Sequence, residues 1–572
     1  MVTIAQNIID HLQANGVRRI YGIAGDSLNG LTEAVRTADI DWVTVRHEEA
    51  GALAASAEAE MTGQLAVCAG SAGPGNLHLI NGLYDAQRSR VPVLAIAAHI
   101  PSGEIGSGYF QETAPAELFR ECSVWSDVVT SAEQMPRALR VAMQAAVSQR
   151  GVAVLVLPGD VALQEAAAET VSRIQQSRPR VIPGAEDLDR AAQLLNDCSK
   201  VTILAGAGTA GAHGEVMALA DRLAAPIVHA MRGKEHIAYD SPFDVGMTGL
   251  LGFASGYRAM IEAETLLMLG TDLPYQQFYP EDATIIQVDI RGENLGRRTP
   301  LDLGLVGDVG ETARALLPKL EAKDRRHLDD SVKHYHRTRE RLDDLATPTK
   351  AGRAIRPQYL ARVLDEQAAE DAVFIPDVGS PVVWAARYLT MNGRRRLIGS
   401  FTHGTMANAL SQAIGAQFAD PDRQIVAMAG DGGLAMLLGE LLTVAQHELP
   451  VKIAVHNNSS FNFIDLEMKA AGFPPFGTDL VNPDFAQVAE SMGIKGVRVT
   501  DSADLPDAVR TALDHPGPAL LDVVTEPNEM TMPPAITAEQ VKGFTLYMIR
   551  TVMSGRGDEL IDLARTNLRQ VF

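Results

Sequence analysis

The chain has 572 residues, which is enough for three to four domains of ordinary size. Its formal net charge of −21 excludes nucleic acid as a partner, because phosphate backbones are bound by basic surfaces. The three cysteines, Cys68, Cys122 and Cys198, lie far apart without CxxC spacing, so we expect no disulfide framework, no zinc site and a cytoplasmic setting. No apolar run approaches the ~20 residues that a membrane span needs.

Short apolar runs alternate with helix-like segments along most of the chain, a pattern typical of parallel α/β sheets. Two stretches indicate linkers: residues 163–186 are rich in Ala, Gln, Ser and Pro, and residues 324–357 are strongly charged. The sequence therefore predicts three parallel-sheet α/β domains and a helical C-terminal tail. The predicted boundaries are 1–180, 181–331, 332–528 and, for the tail, 529–572.

Three motifs mark the first domain. Residues 46–50 (RHEEA) follow a strand-like run and open an Ala-rich helix, which places Glu48 at the helix start. A carboxylate there is also favoured by the helix dipole alone. Residues 70–76 are rich in glycine, which permits either close approach to a ligand or a tight turn. Phe110 and Gln111 are adjacent in the sequence. Without further context, such a pair indicates one core residue and one surface residue.

The middle domain has a G-x-G-x-x-G sequence at residues 206–211, after a strand and before a helix. This suggests a dinucleotide site, but the next strand ends in His229, without the acidic residue that holds the ribose in NAD sites. The sequence therefore argues against NAD. Three other strand-end loops carry small and polar residues suited to a flavin nucleotide. They contain Thr248, Gly249, Leu250 and Leu251; Thr271, Asp272, Leu273, Pro274 and Tyr275; and Asp289.

The third domain contains a Gly-Asp-Gly turn after one apolar run and an Asn-Asn pair after the next. Asp431 and Asn458 are 27 residues apart (458 − 431), which fits a parallel βαβ unit that places both at the same edge of the sheet. Carboxylate and amide oxygens there suit Mg²⁺ shared with a phosphate group. Gly432 and Gly433 allow a diphosphate to approach the backbone, and the helix start favours anions.

Further candidate residues flank this pair of strand ends. Phe463 and Glu467 are four apart and share one face of a predicted helix. Met406 precedes the Gly-Asp-Gly strand, although a methionine there is also compatible with simple core packing. The remaining cofactor-binding candidates are Gly404 and Thr405, and Ser459, Ser460, Phe461, Asn462 and Ile464.

Taken together, these motifs resemble those of thiamine-diphosphate-dependent enzymes, in which a Gly-Asp-Gly turn and an Asn-Asn pair hold the cofactor diphosphate through Mg²⁺. Over essentially the full length, the chain looks closest to the bacterial ubiquinone-dependent pyruvate dehydrogenases, also called pyruvate oxidases. The longest similar segments are residues 99–112, 232–240, 244–253 and 542–550.

The resemblance implies roles for the first and third domains. Glu48 corresponds to the carboxylate that activates thiamine diphosphate, while Glu49 is expected to be structural. Met406 holds the cofactor bent, and Asp431 and Asn458 bind Mg²⁺. The resemblance adds the Ser460 carbonyl as a third metal ligand. It places the Phe110 and Gln111 pair and Glu467 beside the substrate. It places Phe463 near the route of electrons to FAD.

One residue departs from the family pattern. Asn462 stands where the resemblance leads us to expect glycine. Asn tolerates a left-handed backbone better than other non-Gly residues, so we expect the loop shape to persist and its mobility to be altered.

The activity implied by the resemblance is oxidative decarboxylation of pyruvate to acetate and CO₂, with electrons passing through FAD to a membrane quinone. The implied assembly is a homotetramer with active sites between the first and third domains of paired subunits. Three alternatives stay open: an acetolactate synthase, a phosphate-dependent pyruvate oxidase, and a catalytically inactive protein of the same fold.

The tail after Gly557 predicts an amphipathic helix over residues 558–572. Its pattern fits docking on the protein itself, and also an interfacial helix with Arg565 and Arg569 at a lipid boundary. The resemblance favours a lipid surface, which implies peripheral association with the inner face of the cell membrane in the activated state.

Overall fold

The computed structural model describes residues 2–167, 171–177, 179–529 and 546–548, which contain three six-stranded sheets. Every strand pair in these sheets is parallel, which confirms the predicted fold class. Within these ranges no helix combines the length and apolarity needed to cross a membrane. The predicted tail helix at 558–572 lies outside the described residues.

The first sheet has the strand order β2-β1-β3-β4-β6-β5. Its inner strands are fully buried apolar runs, as expected for parallel strands covered by helices on both faces. The strands are β1 Arg19–Gly22, β2 Asp41–Thr44, β3 Ala66–Gly70, β4 Val93–His99, β5 Trp125–Val128 and β6 Val152–Pro158. The helices are α1 Ile4–Ala14, α2 Asn29–Arg36, α3 Glu48–Thr62, α4 Pro74–Ser89, α5 Pro115–Leu118, α6 Met135–Gln149 and α7 Gly159–Ala162.

The second sheet has the order β12-β11-β10-β7-β8-β9, so the strand order reverses beside β7, where crevices form in such sheets. The strands are β7 Val201–Ala205, β8 Ile227–His229, β9 Asp244–Met247, β10 Thr265–Leu269, β11 Thr284–Asp289 and β12 Leu303–Val306. The helices are α8 Ala185–Asp197, α9 His213–Leu223, α10 Lys234–Ile237, α11 Ala254–Ile261, α12 Val309–Leu316 and α13 Arg326–Leu345.

The third sheet has the order β14-β13-β15-β16-β18-β17. The strands are β13 Val373–Pro376, β14 Arg396–Leu397, β15 Ile425–Gly430, β16 Lys452–Asn457, β17 Lys495–Val499 and β18 Ala519–Val524. The helices are α14 Pro357–Gln367, α15 Ser380–Tyr388, α16 Asn408–Ala419, α17 Asp431–Met436, α18 Glu440–Gln446, α19 Asn462–Ala470, α20 Phe485–Ser491 and α21 Leu505–Leu513.

The predicted linker at residues 324–357 is helical over about two thirds of its length, because it contains α13. Leu328, Val332 and Tyr335 recur at helical spacing and pack against the two cores of the middle domain. Leu342, further along the same helix, packs against the core of the third domain. A charged sequence with a narrow apolar stripe therefore forms a helix that joins two domains.

The first and third domains share one hydrophobic core. Helix α3 is rich in alanine, and it packs against α16 so closely that a Cβ on Gly415 would lie 1.9 Å from the carbonyl oxygen of Ala54. On its other side, a Cβ on Gly82 of α4 would lie 2.6 Å from the Cβ of Ala52. Small residues thus bring the helix that begins at Glu48 into backbone contact with the third domain.

Candidate active site

The two predicted strand ends of the third domain meet as expected. Strands β15 and β16 are direct neighbours, with Gly430 opposite His456. Asp431, which follows β15, is only 3% exposed. Its Oδ2 accepts hydrogen bonds from the backbone N–H groups of Asn458 (3.0 Å) and Ser459 (2.6 Å). These bonds fix the carboxylate against the loop that follows β16.

The electrostatics of this carboxylate fit a divalent cation. Burial raises the pKa of Asp431, although hydrogen bonds from neutral N–H groups, including the Asn482 side chain at 2.8 Å, oppose that shift. The Asn458 Oδ1 atom lies next to it and accepts from the backbone N–H of Ser460 (3.0 Å). Among the described residues, no group of three His, Cys, Asp or Glu side chains forms a metal site, so a cation here would be held by one carboxylate plus amide and carbonyl oxygens.

The two glycines after Asp431 are required by close packing. A Cβ on Gly432 would lie 2.4 Å from the Phe461 ring, and one on Gly433 would lie 1.8 Å from Oδ2 of Asp377. Asp377 is 1% exposed, and burial raises its pKa to about 7. The turn therefore has no room for side chains at these two positions, and a carboxyl group packs directly against it.

A cavity of about 370 Å³ lies over these strand ends. Its walls are formed by loops from both the third and the middle domain. The predicted residues that line it are Gly404, Met406, Asp431, Gly432, Gly433, Asn458, Ser460, Phe461, Asn462, Phe463, Ile464 and Glu467, with Leu250, Leu251 and Tyr275 from the middle domain. The structure thus brings together most of the third-domain candidates and part of the middle-domain set.

The loop after β16 differs from expectation in one respect. The left-handed position is Ser459, at φ 56°, and not Asn462. Asn462 is the first residue of α19, where its Oδ1 accepts from the Ser380 hydroxyl (2.9 Å) and its Nδ2 donates to the Pro527 carbonyl (2.6 Å). A glycine would make neither side-chain bond, so Asn462 ties the loop to two other segments.

Two predicted residues of α19 face the cavity together. Phe463 packs partly against the third-domain core, and Glu467 lies one turn later, exposed at the cavity mouth. Partial desolvation raises the pKa of Glu467. Across the cavity, Met406 is followed by Ala407 in a left-handed conformation at φ 65°. A non-glycine residue held there is strained, a cost that often accompanies functional sites.

The first-domain candidates do not reach this cavity within the chain. Glu48 is 4% exposed, and its Oε2 lies 2.9 Å from Nδ1 of His78, whose ring stacks on that of His47. Phe110 is 78% exposed, and Gln111 has a positive φ of 62°. None of these candidates lines the cavity, so the structure does not bring them together with Asp431.

Glu49 and Thr405 belong to a polar network between the first and third domains. Asn81 donates to Oε1 of Glu49 (2.7 Å) and to the Thr405 hydroxyl (2.8 Å), while His403 lies 2.8 Å from the Asn81 Oδ1. This network fixes the loop that carries Met406 against α4.

The middle-domain candidates follow β9, β10 and β11 at one edge of the second sheet. Thr248 and Thr271 are buried, and neither hydroxyl has a hydrogen-bond partner within the described part of the chain. Buried hydroxyls usually have partners, so these two fit a polar ligand. Asp289 is 4% exposed and accepts from the Arg291 N–H (2.9 Å) and from Asn294 (3.2 Å).

The loop at residues 271–275 is anchored at one end and open at the other. Asp272 forms an ion pair with Arg298 at 2.7 Å. Leu273 is buried and Pro274 is exposed, while Tyr275 reaches the cavity. Leu273 also approaches Gly249, so the two predicted flavin loops touch.

Sequence reasoning missed several residues of the site. Asp377 follows the apolar run of β13, the same signal that identified Asp431, and could have been found. Asn482, which bonds both Asp431 and Asn457, lies in an irregular loop without any local pattern. His456 lines the cavity, and burial lowers its pKa to about 4, so its ring is neutral.

Comparison with known proteins identifies the class. Three models of thiamine pyrophosphate enzymes match the chain: the N-terminal TPP binding domain at residues 2–118, the central domain at 188–316 and the C-terminal TPP binding domain at 377–523. The chain belongs to the thiamine pyrophosphate enzyme family.

Individual relatives add detail. A putative thiamine pyrophosphate-containing protein of Bacillus subtilis is 37% identical over 574 residues, which cover 100% of this chain and 99% of that protein. An uncharacterized 42.6 kDa protein of Pseudomonas amyloderamosa is 61% identical over 60% of this chain and 87% of its own length. The pyruvate oxidase of Lactiplantibacillus plantarum is 29% identical over 90% of this chain and 87% of that protein. Acetolactate synthases match at comparable identity, for example 31% for that of Parasynechococcus marenigrum.

Proposed function

We propose that the protein catalyses the oxidative decarboxylation of pyruvate, with thiamine diphosphate, Mg²⁺ and FAD as cofactors and a membrane quinone as electron acceptor. Pyruvate and water would yield acetate, CO₂, two protons and two electrons. The observation that carries the proposal is the single cavity lined both by the Asp431 and Asn458 loops and by Leu250, Leu251 and Tyr275 of the predicted flavin loops. The residues that would hold thiamine diphosphate and those that would hold FAD therefore share one cavity.

The third-domain residues fit the cofactor and its metal. Asp431, Asn458 and the Ser460 carbonyl would hold Mg²⁺, and Gly432 and Gly433, which line the cavity, would let the diphosphate approach the backbone. Thiamine diphosphate, when bound, supplies a carbon nucleophile and a sink for the electrons released with CO₂. The chain supplies apolar side chains such as Met406 and Phe463 and, at the cavity mouth, the carboxyl group of Glu467, whose raised pKa suits it to hold a proton.

An anaerobic absorption spectrum tests the redox role. Pyruvate added to the FAD-loaded enzyme should bleach the flavin bands within one turnover, and a soluble quinone should restore them. A flavin that stays oxidised while acetolactate accumulates would replace the proposal with the acetolactate synthase activity that several relatives have by name. Formation of acetyl phosphate in phosphate buffer would instead indicate a phosphate-dependent oxidase.

We further propose that Glu48, Phe110 and Gln111 act on the cavity of a second subunit, within a homotetramer. The separation of Glu48 from the cavity in one chain supports this arrangement. Mixing Glu48→Gln subunits with Asp431→Ala subunits tests it, because one hybrid site would then carry neither substitution. Recovery of about a quarter of wild-type activity is expected for random dimers. Absence of any recovery in verified hybrids would contradict the shared site.

Lipid association through residues 558–572 is also a proposal. Deletion of these residues should remove activation by anionic vesicles and raise the activity measured without lipid, since the same segment is expected to cover the site at rest. An unchanged lipid response after the deletion would favour simple docking of the tail on the protein. The intact protein, assayed with vesicles of zwitterionic lipid, is the matched control.

A further inference from the structure

A second cavity, of about 310 Å³, lies between the middle and third domains, away from the candidate active site. We call it the interdomain cavity. Its middle-domain wall includes Lys234 and Asp244, helix α13 contributes Arg339, and its third-domain wall includes Arg387 and Tyr388. Most of these residues carry charge, which is unusual for a space between two packed domains.

Lys234 is the notable member of this set. It is only 7% exposed, yet its ammonium group forms no hydrogen bond or ion pair with any residue in the described ranges. Burial lowers the pKa of Lys234 to about 8, with Asp244 opposing the shift. The ammonium group opens on the cavity and has no direct acceptor there, so an anionic ligand in the cavity would stabilise its charge.

The acidic side chains around the cavity do not supply the missing acceptor. Asp343 is paired with Arg339 at 2.6 Å, Asp365 with Arg395 at 2.7 Å and Glu366 with Arg362 at 2.8 Å.

Asp244 is the remaining acidic residue of the wall, and it accepts from the Gly246 N–H at 3.1 Å. His229 lies beside it, at 3.6 Å, and burial lowers the pKa of that imidazole to about 4, so the ring is neutral. Three of the four acidic side chains of the wall are therefore paired with arginines, and none of the four makes a direct contact with the Lys234 ammonium group.

From this arrangement we propose that the interdomain cavity binds one small oxyanion, a phosphate or a short carboxylate, through Lys234. The Arg387 guanidinium lies in the same wall and donates to the carbonyl oxygens of Leu251 (3.2 Å) and Gly252 (3.3 Å). Leu251 also lines the active-site cavity, and α15 runs from that cavity to Arg387. The oxyanion would therefore sit behind the loop that closes the active site on the flavin side. The proposal does not depend on which reaction the enzyme catalyses.

Isothermal titration of the full-length protein tests the site directly. The protein is first saturated with thiamine diphosphate, Mg²⁺ and FAD, so that their phosphate-binding loops are filled. It is then titrated with inorganic phosphate and, in a separate arm, with acetate. One saturable site per chain is expected for at least one of the two anions, and the preferred arm distinguishes phosphate from carboxylate. If neither anion binds at concentrations on the order of 10 mM, the proposal is overturned.

Two variants localise the binding. Lys234→Met keeps most of the length of the side chain and removes its charge, and it should weaken binding at least about tenfold. Lys323→Met is the matched control, because Lys323 lies in the same domain and donates to the Asn196 carbonyl (3.2 Å) away from the cavity. Equal binding by Lys234→Met and wild type would contradict the assignment.

A measurement on the unmodified protein covers the case in which Lys234→Met does not fold. An amine of low pKa reacts readily with acetic anhydride, and the acetylation of Lys234 can be followed by peptide mass spectrometry. The bound anion should slow the labelling of Lys234 and leave that of Lys323 unchanged. Labelling of Lys234 at the same rate with and without the anion would overturn the proposal.

Discussion

Replacing Asn462 with glycine tests whether this side chain restrains the loop that follows β16. The substitution removes the bonds to the Ser380 hydroxyl and to the Pro527 carbonyl, each contributing about 1 kcal/mol at most at a half-buried site. The greater backbone entropy of glycine stabilises the locally open state by about a further 0.5 kcal/mol. The free energy of local opening should therefore fall by roughly 1.5–2.5 kcal/mol, an increase of about 10- to 70-fold in the open population.

Hydrogen exchange measures this population directly. The amides of residues 461–466 should exchange about 10- to 70-fold faster in Asn462→Gly, while amides of β15 and β16 keep their wild-type rates. Asn462→Ala separates the two contributions, because it removes both bonds and keeps a restricted backbone. Unchanged protection in Asn462→Gly would refute the argument that the side chain restrains the loop.

Three further results are expected. Gly433→Ala should lower Tm and abolish thiamine diphosphate binding, because its Cβ would lie 1.8 Å from Oδ2 of Asp377, whereas Gly430→Ala, with no atom nearer than 3.7 Å, should leave Tm nearly unchanged. In the cofactor-free protein Asp377 should contribute a slope of stability with pH that amounts to a loss of about 4 kcal/mol of unfolding free energy between pH 4 and pH 8. Its folded-state pKa, about 7, lies above its unfolded value of about 3.9, so the folded state binds the proton more tightly and stability falls as pH rises. In urea titrations Asp377→Asn should remove most of that slope, and a slope equal to that of the wild type would contradict the assignment. Glu48→Gln should nearly abolish decarboxylation while Tm and cofactor binding persist. Glu49→Gln is the comparison, because it weakens the hydrogen bond from Asn81 instead. Wild-type turnover in Glu48→Gln would show that Glu48 has no part in the proposed chemistry.

The sheets and the proximity of Asp431 to Asn458 were predictable because their signals are local. Each buried strand is a continuous apolar run, and Asp431 and Asn458 each follow such a run in adjacent strands. Parallel pairing of β15 with β16 then brings the two residues together without further information. The prediction of fold class succeeded for the same reason.

The residues that sequence reasoning missed depend on packing between distant segments. Asn482 reaches Asp431 from a loop 51 residues away, and nothing in its own neighbourhood marks it. Ser459 has the left-handed backbone conformation, whereas Asn462 is the first residue of α19. Helix α13 was missed since its apolar stripe is narrow and its charged residues dominate the composition.

The contact of α3 with α16 has a consequence for how the protein unfolds. A helix of one domain and a helix of another touch backbone to backbone at Ala54 and Gly415, so neither sheet can be separated without exposing the other's core. The first and third domains therefore form a single cooperative unit, despite their separation along the chain. Saturation of the Asp431 site should consequently raise the melting temperature of the first domain as much as that of the third, and a fragment that ends before the middle domain should not fold by itself.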